Sequence, residues 1–253
     1  MIDSHCHLDF AVFDADRDSV LYNAAAQGVQ AIVIPGTTLA SAPFLLDLCK
    51  SHPQCYPALG LHPYFLRDYR PQHLQQLEGL IKDNRQHIVA VGEIGLDSQI
   101  DVDLDLQKDV LDAQLRLAAR YALPVIVHHR KTHHLLLGAL GNAALVKAGV
   151  IHAFSGSIQD AHRYIEMGYK LGVGGVITYP RAQKTRETLS KVPLGSLVLE
   201  TDAPDMPMQG RQGQRNSPEY LYDVAQCLAQ LRGISVDEVM TVTSENSRRL
   251  FSL

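Results

Sequence analysis

Residues 88–97 read IVAVGEIGLD, an apolar, β-branched run that does not alternate and that carries a carboxylate, Glu93, within it. A run of this kind suits a parallel strand covered on both faces, where neither side meets water. Seven other stretches share its character: MIDSH at the start, AIVIPG from Ala31, YPALGLH from Tyr56, PVIVHH from Pro124, VIHAFSG from Val150, YKLGVGG from Tyr169 and LVLETD from Leu197. Eight such strands are a barrel number, and 253 residues lie close to the length typical of one barrel domain.

Between the strands, apolar residues recur at helical spacing over 18–27, 42–51, 74–84, 106–121, 134–147 and 158–167, and again over 218–231 after the last strand. Pro43, Pro71 and Pro218 stand near helix starts, and Gly28 and Gly168 stand where helices should stop. A final helix over 236–250 should pack on the outside or base. Strand and helix alternate without a linker, a charge block or a low-complexity tract. The expectation is therefore an α/β chain, a TIM-type (β/α)8 barrel, with residues 1–253 as one domain. No G-x-G-x-x-G follows a strand, which disfavours a dinucleotide-binding sheet.

Composition narrows the function. A formal net charge of -4 argues against a surface coated in basic charge, so contact with a polyanion should be confined to one rim. Cys6, Cys49, Cys55 and Cys227 are scattered and form no C-x-x-C pair, as expected of reduced, packed thiols. No apolar run approaches a membrane span and no leader is visible, so the expectation is a cytoplasmic protein without membrane attachment.

In a parallel barrel the functional groups gather at the carboxyl ends of the strands. Here those ends carry His5 and His7, His62, Glu93, His128, His152 and Asp202. His5 and His7 share one strand face, and Cys6 points away. Burying so many converging imidazoles and carboxylates without a cation would leave donors and acceptors unsatisfied. Four histidines with two carboxylates exceed the needs of one tetrahedral ion, which points to two divalent metal ions sharing a carboxylate, and hence to a hydrolase.

The segments HCHLDF, GLHPY, GEIGLD, VHHRKTH, HAFSGS and LETDAP, in this order and spacing, resemble the TatD family of metal-dependent deoxyribonucleases, and YPRAQKTR with DAPDMP resembles its YjjV-like branch. The resemblance runs over essentially the whole chain. It implies a barrel of the amidohydrolase-like superfamily, with His5, His7 and Asp202 on one metal, His128 and His152 on the other, and Glu93 between them. It also implies a deoxyribonuclease with 3′-to-5′ exonuclease activity on DNA, single-stranded or at its 3′ end.

Asp202 is the candidate to accept a proton from the attacking water, or else only a ligand. Glu200, on the same strand face, is placed to orient a ligand histidine from behind. His62 is read as touching the scissile group or its water, against the alternative of a hydrogen-bonded loop histidine. Arg130 and Lys131, then Arg181, Lys184 and Arg186, then Arg211 and Arg215 follow strands five, seven and eight. The set Arg130, Arg181, Lys184 and Arg186 is expected to grip phosphates, while Tyr64, Phe65 and Tyr179 could stack a base. His129, His133 and His134, with His52, His73, His87 and His162, are expected to lie outside the cluster. Zn, Mn and Mg remain alternatives for the metals, and no obligatory protein partner is indicated. The alternatives on function are hydrolysis of an amide or ester, such as an aminoacyl ester on RNA, and a catalytically idle module that binds metal and nucleic acid.

Overall fold

Eight parallel strands pair in sequence order: β1 Ile2–Asp3, β2 Ala31–Pro35, β3 Cys55–Leu59, β4 Ala90–Asp97, β5 Val125–Arg130, β6 Gly149–Ile151, β7 Lys170–Val173 and β8 Leu197–Leu199. The computed structural model of the chain describes residues 1–253. β2 and β4 are buried at every position, which is why their sequences show no alternation. The seam between the first and last strands is closed by main-chain bonds just beyond β1: Ser4 N–H donates to Leu199 O at 2.9 Å, Asp202 N–H to His5 O at 2.9 Å, and His7 N–H to Ala203 O at 2.7 Å. The two-residue β1 therefore does not itself carry His5 and His7. Their placement comes from these bonds to the end of β8.

Helices α1 Arg17–Ala26, α2 Ala42–Ser51, α3 Gln72–Asp83, α4 Leu104–Arg120, α5 His133–Asn142, α6 Ile158–Glu166 and α7 Gln183–Lys191 follow the successive strands, and α8 Leu221–Arg232 and α9 Val236–Phe251 come after β8. The starts are chemically marked. Asp103 accepts from Leu106 N–H at the head of α4, Ser235 from Glu238 N–H at the head of α9, and Ser157 with Asp160 forms a reciprocal capping box on α6.

Three sequence expectations are corrected. α5 stops at Asn142 rather than running to 147, because Ala143 is already extended. The segment after Pro218 begins as a 3-10 turn, and α8 starts only at Leu221. α7 was not anticipated: QKTRETLSK buries only Thr185, Thr188 and Leu189, so it shows no apolar stripe to read.

Inside the barrel, Val33, Ala58, Ala90, Ile126, Val150 and Val198 form a dry layer that Phe251, from the end of α9, closes from below. The main core, between strands and helices, forms a second and larger cluster. No helix is long and apolar enough to cross a membrane.

Candidate metal centre

Counting along each strand by twos carries the inward face from this dry layer to the rim. Ile126 leads to His128, Val150 to His152, Val198 to Glu200 and Asp202, and Ala58 through Gly60 to His62. Glu93 breaks the count from Ala90. The β4–β5 register shifts between Val91 and Ile94, and this irregularity turns the carboxylate inward. Glycine supplies the room. A Cβ on Gly92 would lie 2.6 Å from Ile126 Cβ, and one on Gly172 would lie 2.3 Å from Glu200 Oε2.

Glu93 lies at the centre. Its Oε2 is 3.2 Å from His5 Nε2 and 3.4 Å from His7 Nε2, while its Oε1 is 3.1 Å from His128 Nδ1 and 3.3 Å from His62 Nε2. Asp202 Oδ1 is a second hub, 3.6, 3.7 and 3.5 Å from the Nε2 atoms of His5, His7 and His152. The rings of His5 and His152 stack with centroids 3.6 Å apart. His152 thus meets Asp202 and His5 directly, and it lies on the far side of the cluster from His62.

Acids behind the rings set their orientation. His128 Nε2 is 3.2 Å from Asp97 Oδ2. Asp97 holds Nε2–H and turns Nδ1 toward Glu93, where it donates in the protonated ring and offers a lone pair once that second proton is lost. His152 Nδ1 is 3.0 Å from Glu200 Oε1, within ion-pair distance although not aligned as a hydrogen bond, and this leaves Nε2 toward Asp202. Asp97 was not singled out in the sequence. The signal available was register, since Gly95 pairs with His128 and sets Asp97 two residues further along the neighbouring strand.

The charges are poised for a cation. Burial alone would raise Glu93, but the facing His62 and His5 and a hydrogen bond with His128 outweigh it and hold the carboxyl well below the ordinary range. Asp202 is likewise lowered, burial being outweighed by His152, His5 and His7. Burial lowers His128, yet its bonds to Asp97 and Glu93 prevail and raise it to about 9. His152 is raised well above its usual value, burial being overcome by Glu200 and Asp202. His5 Nε2 and His7 Nε2 stand only 3.2 Å apart, and the Nδ1 atoms of both rings are buried without a partner. Two imidazole lone pairs at that separation repel unless a proton or a metal ion lies between them. The donor set therefore fits divalent cations: ring nitrogens and carboxylate oxygens gather within 4.8 Å in three overlapping groups, His5 with His7 and Glu93, His5 with His152 and Glu200, and His62 with Glu93 and His128.

A cavity of about 620 Å³ opens above the cluster, lined among others by His62, Tyr64, Phe65, Arg130 and Asp202. Tyr64 and Phe65 are 62% and 45% exposed at its mouth. The basic ring expected around it is largely absent. Arg130 lines the cavity, but Arg181, Lys184 and Arg186 do not. Lys184 and Arg186 belong to α7, and Arg186 is spent on the carbonyl of Ile177 and the thiol of Cys227. Arg181 lies over the Tyr179 ring, whose hydroxyl donates to Pro207 O at 2.6 Å and so pins a loop. Arg215 forms two bonds with the Asp16 carboxylate, Arg211 lies over Tyr220, and Lys131 donates to Gln99 Oε1.

Two further histidines lie beside the cluster. His129 turns from the cluster carboxylates and lines the cavity, packing on His133. His133 is half-buried, with its ring nitrogens 3.1 Å from Tyr164 Oη and 3.1 Å from Ser155 O.

Comparison with known proteins adds a second line of evidence. A family model described as TatD related DNase matches residues 2–252. The chain is 46% identical over its full length to the uncharacterized metal-dependent hydrolase YjjV of Escherichia coli, covering 98% of that protein. It is 33% identical, over all of both chains, to a protein of Erwinia tasmaniensis named 3′-5′ ssDNA/RNA exonuclease TatD. Among solved structures, the crystal structure of E. coli YjjV, titled a TatD homologue, superposes with a TM-score of 0.97 over 100% of this chain and 98% of that one.

Proposed function

The chain belongs to the TatD-related DNase family and is a metal-dependent hydrolase, and from that premise we propose that it cleaves phosphodiester bonds at the 3′ end of single-stranded nucleic acid. The observation that carries the proposal is Glu93, whose two oxygens face two separate pairs of imidazole nitrogens. In this reading His5, His7 and Asp202 would hold one divalent cation and His128 with His152 a second, with Glu93 shared between them; His152 stands here against Asp202 and His5 rather than Glu93. Such a pair supplies a lowered pKa for water and positive charge for a phosphoryl oxygen.

The chain's own residues do the rest. Asp202, 13% exposed against 2% for Glu93, is the more open of these two cluster carboxylates lining the cavity. We assign it to accept a proton from attacking water; its lowered pKa keeps it ionised for that role while reducing its basicity. Glu200 and Asp97 fix His152 and His128 from behind. Arg130 meets the phosphate from the β5 side, and Tyr64 and Phe65 offer faces on which a terminal base can stack. The name of the Erwinia relative supports the polymer and the polarity, and the cavity walls support a nucleotide.

The test uses 5′-labelled single-stranded DNA and RNA with chelator-treated protein reloaded with Mg²⁺, Mn²⁺ or Zn²⁺. A ladder shortening from the 3′ end, abolished by chelator, is the expected result. Turnover of carboxylic esters or amides with no metal-dependent shortening of either polymer would overturn the phosphodiester reading.

A further inference from the structure

His62 Nε2 is 3.3 Å from Glu93 Oε1, nearly as close as the 3.1 Å of the ligand candidate His128, and distance alone would make it a ligand beside His128. Its other nitrogen decides otherwise. His62 caps the 3-10 turn Pro63–Asp68, and its Nδ1 accepts a hydrogen bond from Tyr64 N–H at 3.1 Å. Pro63 has no N–H, so Tyr64 supplies the first free amide of the turn, and His62 satisfies it. A backbone amide can only donate, so Nδ1 must present a lone pair. The single proton of the neutral ring is then on Nε2, the atom that faces Glu93.

His128 is fixed the other way, with Nε2–H on Asp97 and Nδ1 toward Glu93, so that the neutral ring has its lone pair there. The two rings meet edge to face with centroids 4.5 Å apart, and in their neutral forms they present opposite chemistry to one oxygen: a lone pair from His128 and an N–H from His62. An Nε2–H cannot bind a metal without losing its proton. The His62 side chain is 12% exposed and lines the cavity, so an anion entering there comes within its reach.

We infer that His62 is a catalytic donor rather than a metal ligand, its Nε2–H hydrogen-bonding a non-bridging oxygen of the scissile phosphodiester as negative charge builds there. This rests on the phosphodiester reading above for the identity of the oxygen, but not for the tautomer. A preorganised donor aimed at developing charge is worth about 10² to 10³ in kcat.

The experiment has two arms. In the first, 15N-edited histidine spectra of the Zn²⁺-loaded wild-type protein read the tautomer of His62 directly. Nε2–H is expected, and Nδ1–H would overturn the proposal. In the second, Zn²⁺ titration and bis(4-nitrophenyl) phosphate turnover are measured for His62→Ala, His62→Gln and His128→Ala. His62→Ala should keep the wild-type metal stoichiometry and lose about 10²-fold or more in kcat with KM changed less than about threefold. His62→Gln, which retains an N–H, should recover part of that loss. Loss of a metal equivalent in His62→Ala, as in His128→Ala, would make it a ligand and sink the proposal. Failure of the phosphodiester reading shows separately, as a wild-type protein that binds metal and turns over no phosphodiester.

Discussion

The amino end and the carboxyl end of this barrel are made from the same strands, two to four residues apart, and they obey opposite rules. At the amino end Val33, Ala58, Ala90, Ile126, Val150 and Val198 meet in a layer without a polar side chain, sealed by Phe251. At the carboxyl end the next inward positions are glycine, histidine, glutamate and aspartate, several of them buried just as deeply: His5 and Glu200 are 0% exposed and Glu93 is 2%. The floor lowers its free energy by leaving water, at roughly 25 cal/mol per Å² of apolar surface. The rim raises its own by the same move, unless cations compensate the buried carboxylates and lone pairs. One end is a source of stability and the other a site that stability elsewhere maintains.

The largest test of that division is Glu93→Gln. On the two-cation reading, losing the shared negative charge and one of its two oxygens weakens both positions, and kcat/KM should fall by more than about 10³, beyond the loss of one oriented donor. Metal affinity should fall with it, while the Tm of chelator-treated protein stays near wild type. A large drop in Tm with metal content preserved would show the rim to be scaffold. The converse substitution is Phe251→Ala, at the floor. Truncating a side chain that is 3% exposed should cost about 3–5 kcal/mol in denaturant unfolding, and kcat per folded molecule should be unchanged. If activity falls and stability does not, the two ends are coupled and the comparison fails.

A smaller effect is expected one layer behind the rim. Glu200→Gln keeps the shape that Gly172 makes room for but weakens the hold on His152 Nδ1. Metal affinity should drop about 10- to 100-fold, read by calorimetric titration. Unchanged affinity would mean that His152 is oriented by its stack on His5 instead.

The floor and the rim were not equally legible in the sequence. Continuous apolar runs gave the strands, and the rule that chemistry sits at their carboxyl ends gathered His62, His128, His152 and Asp202 without coordinates. Those residues follow their floor positions by even steps, so a period of two was enough. Glu93 was found by its chemistry, although the register shift that turns it inward was not visible. The basic ring failed for a physical reason. Whether an arginine is free depends on partners far along the chain: Arg215 is held by Asp16, 199 residues away, and Arg186 by Cys227 and Ile177. No local pattern encodes such pairs. The resting places of His129 and His133, settled by contacts with Phe154, Tyr164 and Ser155, were hidden in the same way.

Asp3 sharpens the comparison because it is a buried carboxylate outside the ligand cluster. It is fully buried and has no cation beside it. It accepts from Thr201 Oγ1 at 2.6 Å, Thr201 N–H at 3.0 Å and His5 N–H at 3.2 Å, tying β1 to the chain after β8. Burial outweighs those bonds and raises its pKa to about 7. A raised carboxylate keeps its proton in the folded state while the unfolded chain has already released it. Between roughly pH 4 and pH 7 the native state therefore binds more protons, and stability falls as pH rises, by at most about 1.4 kcal/mol per pH unit from this group. Above pH 7 both states are ionised and the slope vanishes. Asp3→Asn keeps an oxygen for the two amides and removes the titration. In chelator-treated protein the stability of the variant relative to wild type should rise from pH 4 to pH 7 and then level off. Parallel curves across that window would show that Asp3 stays ionised in the fold, and that burial does not by itself set the charge of an acid outside the cluster.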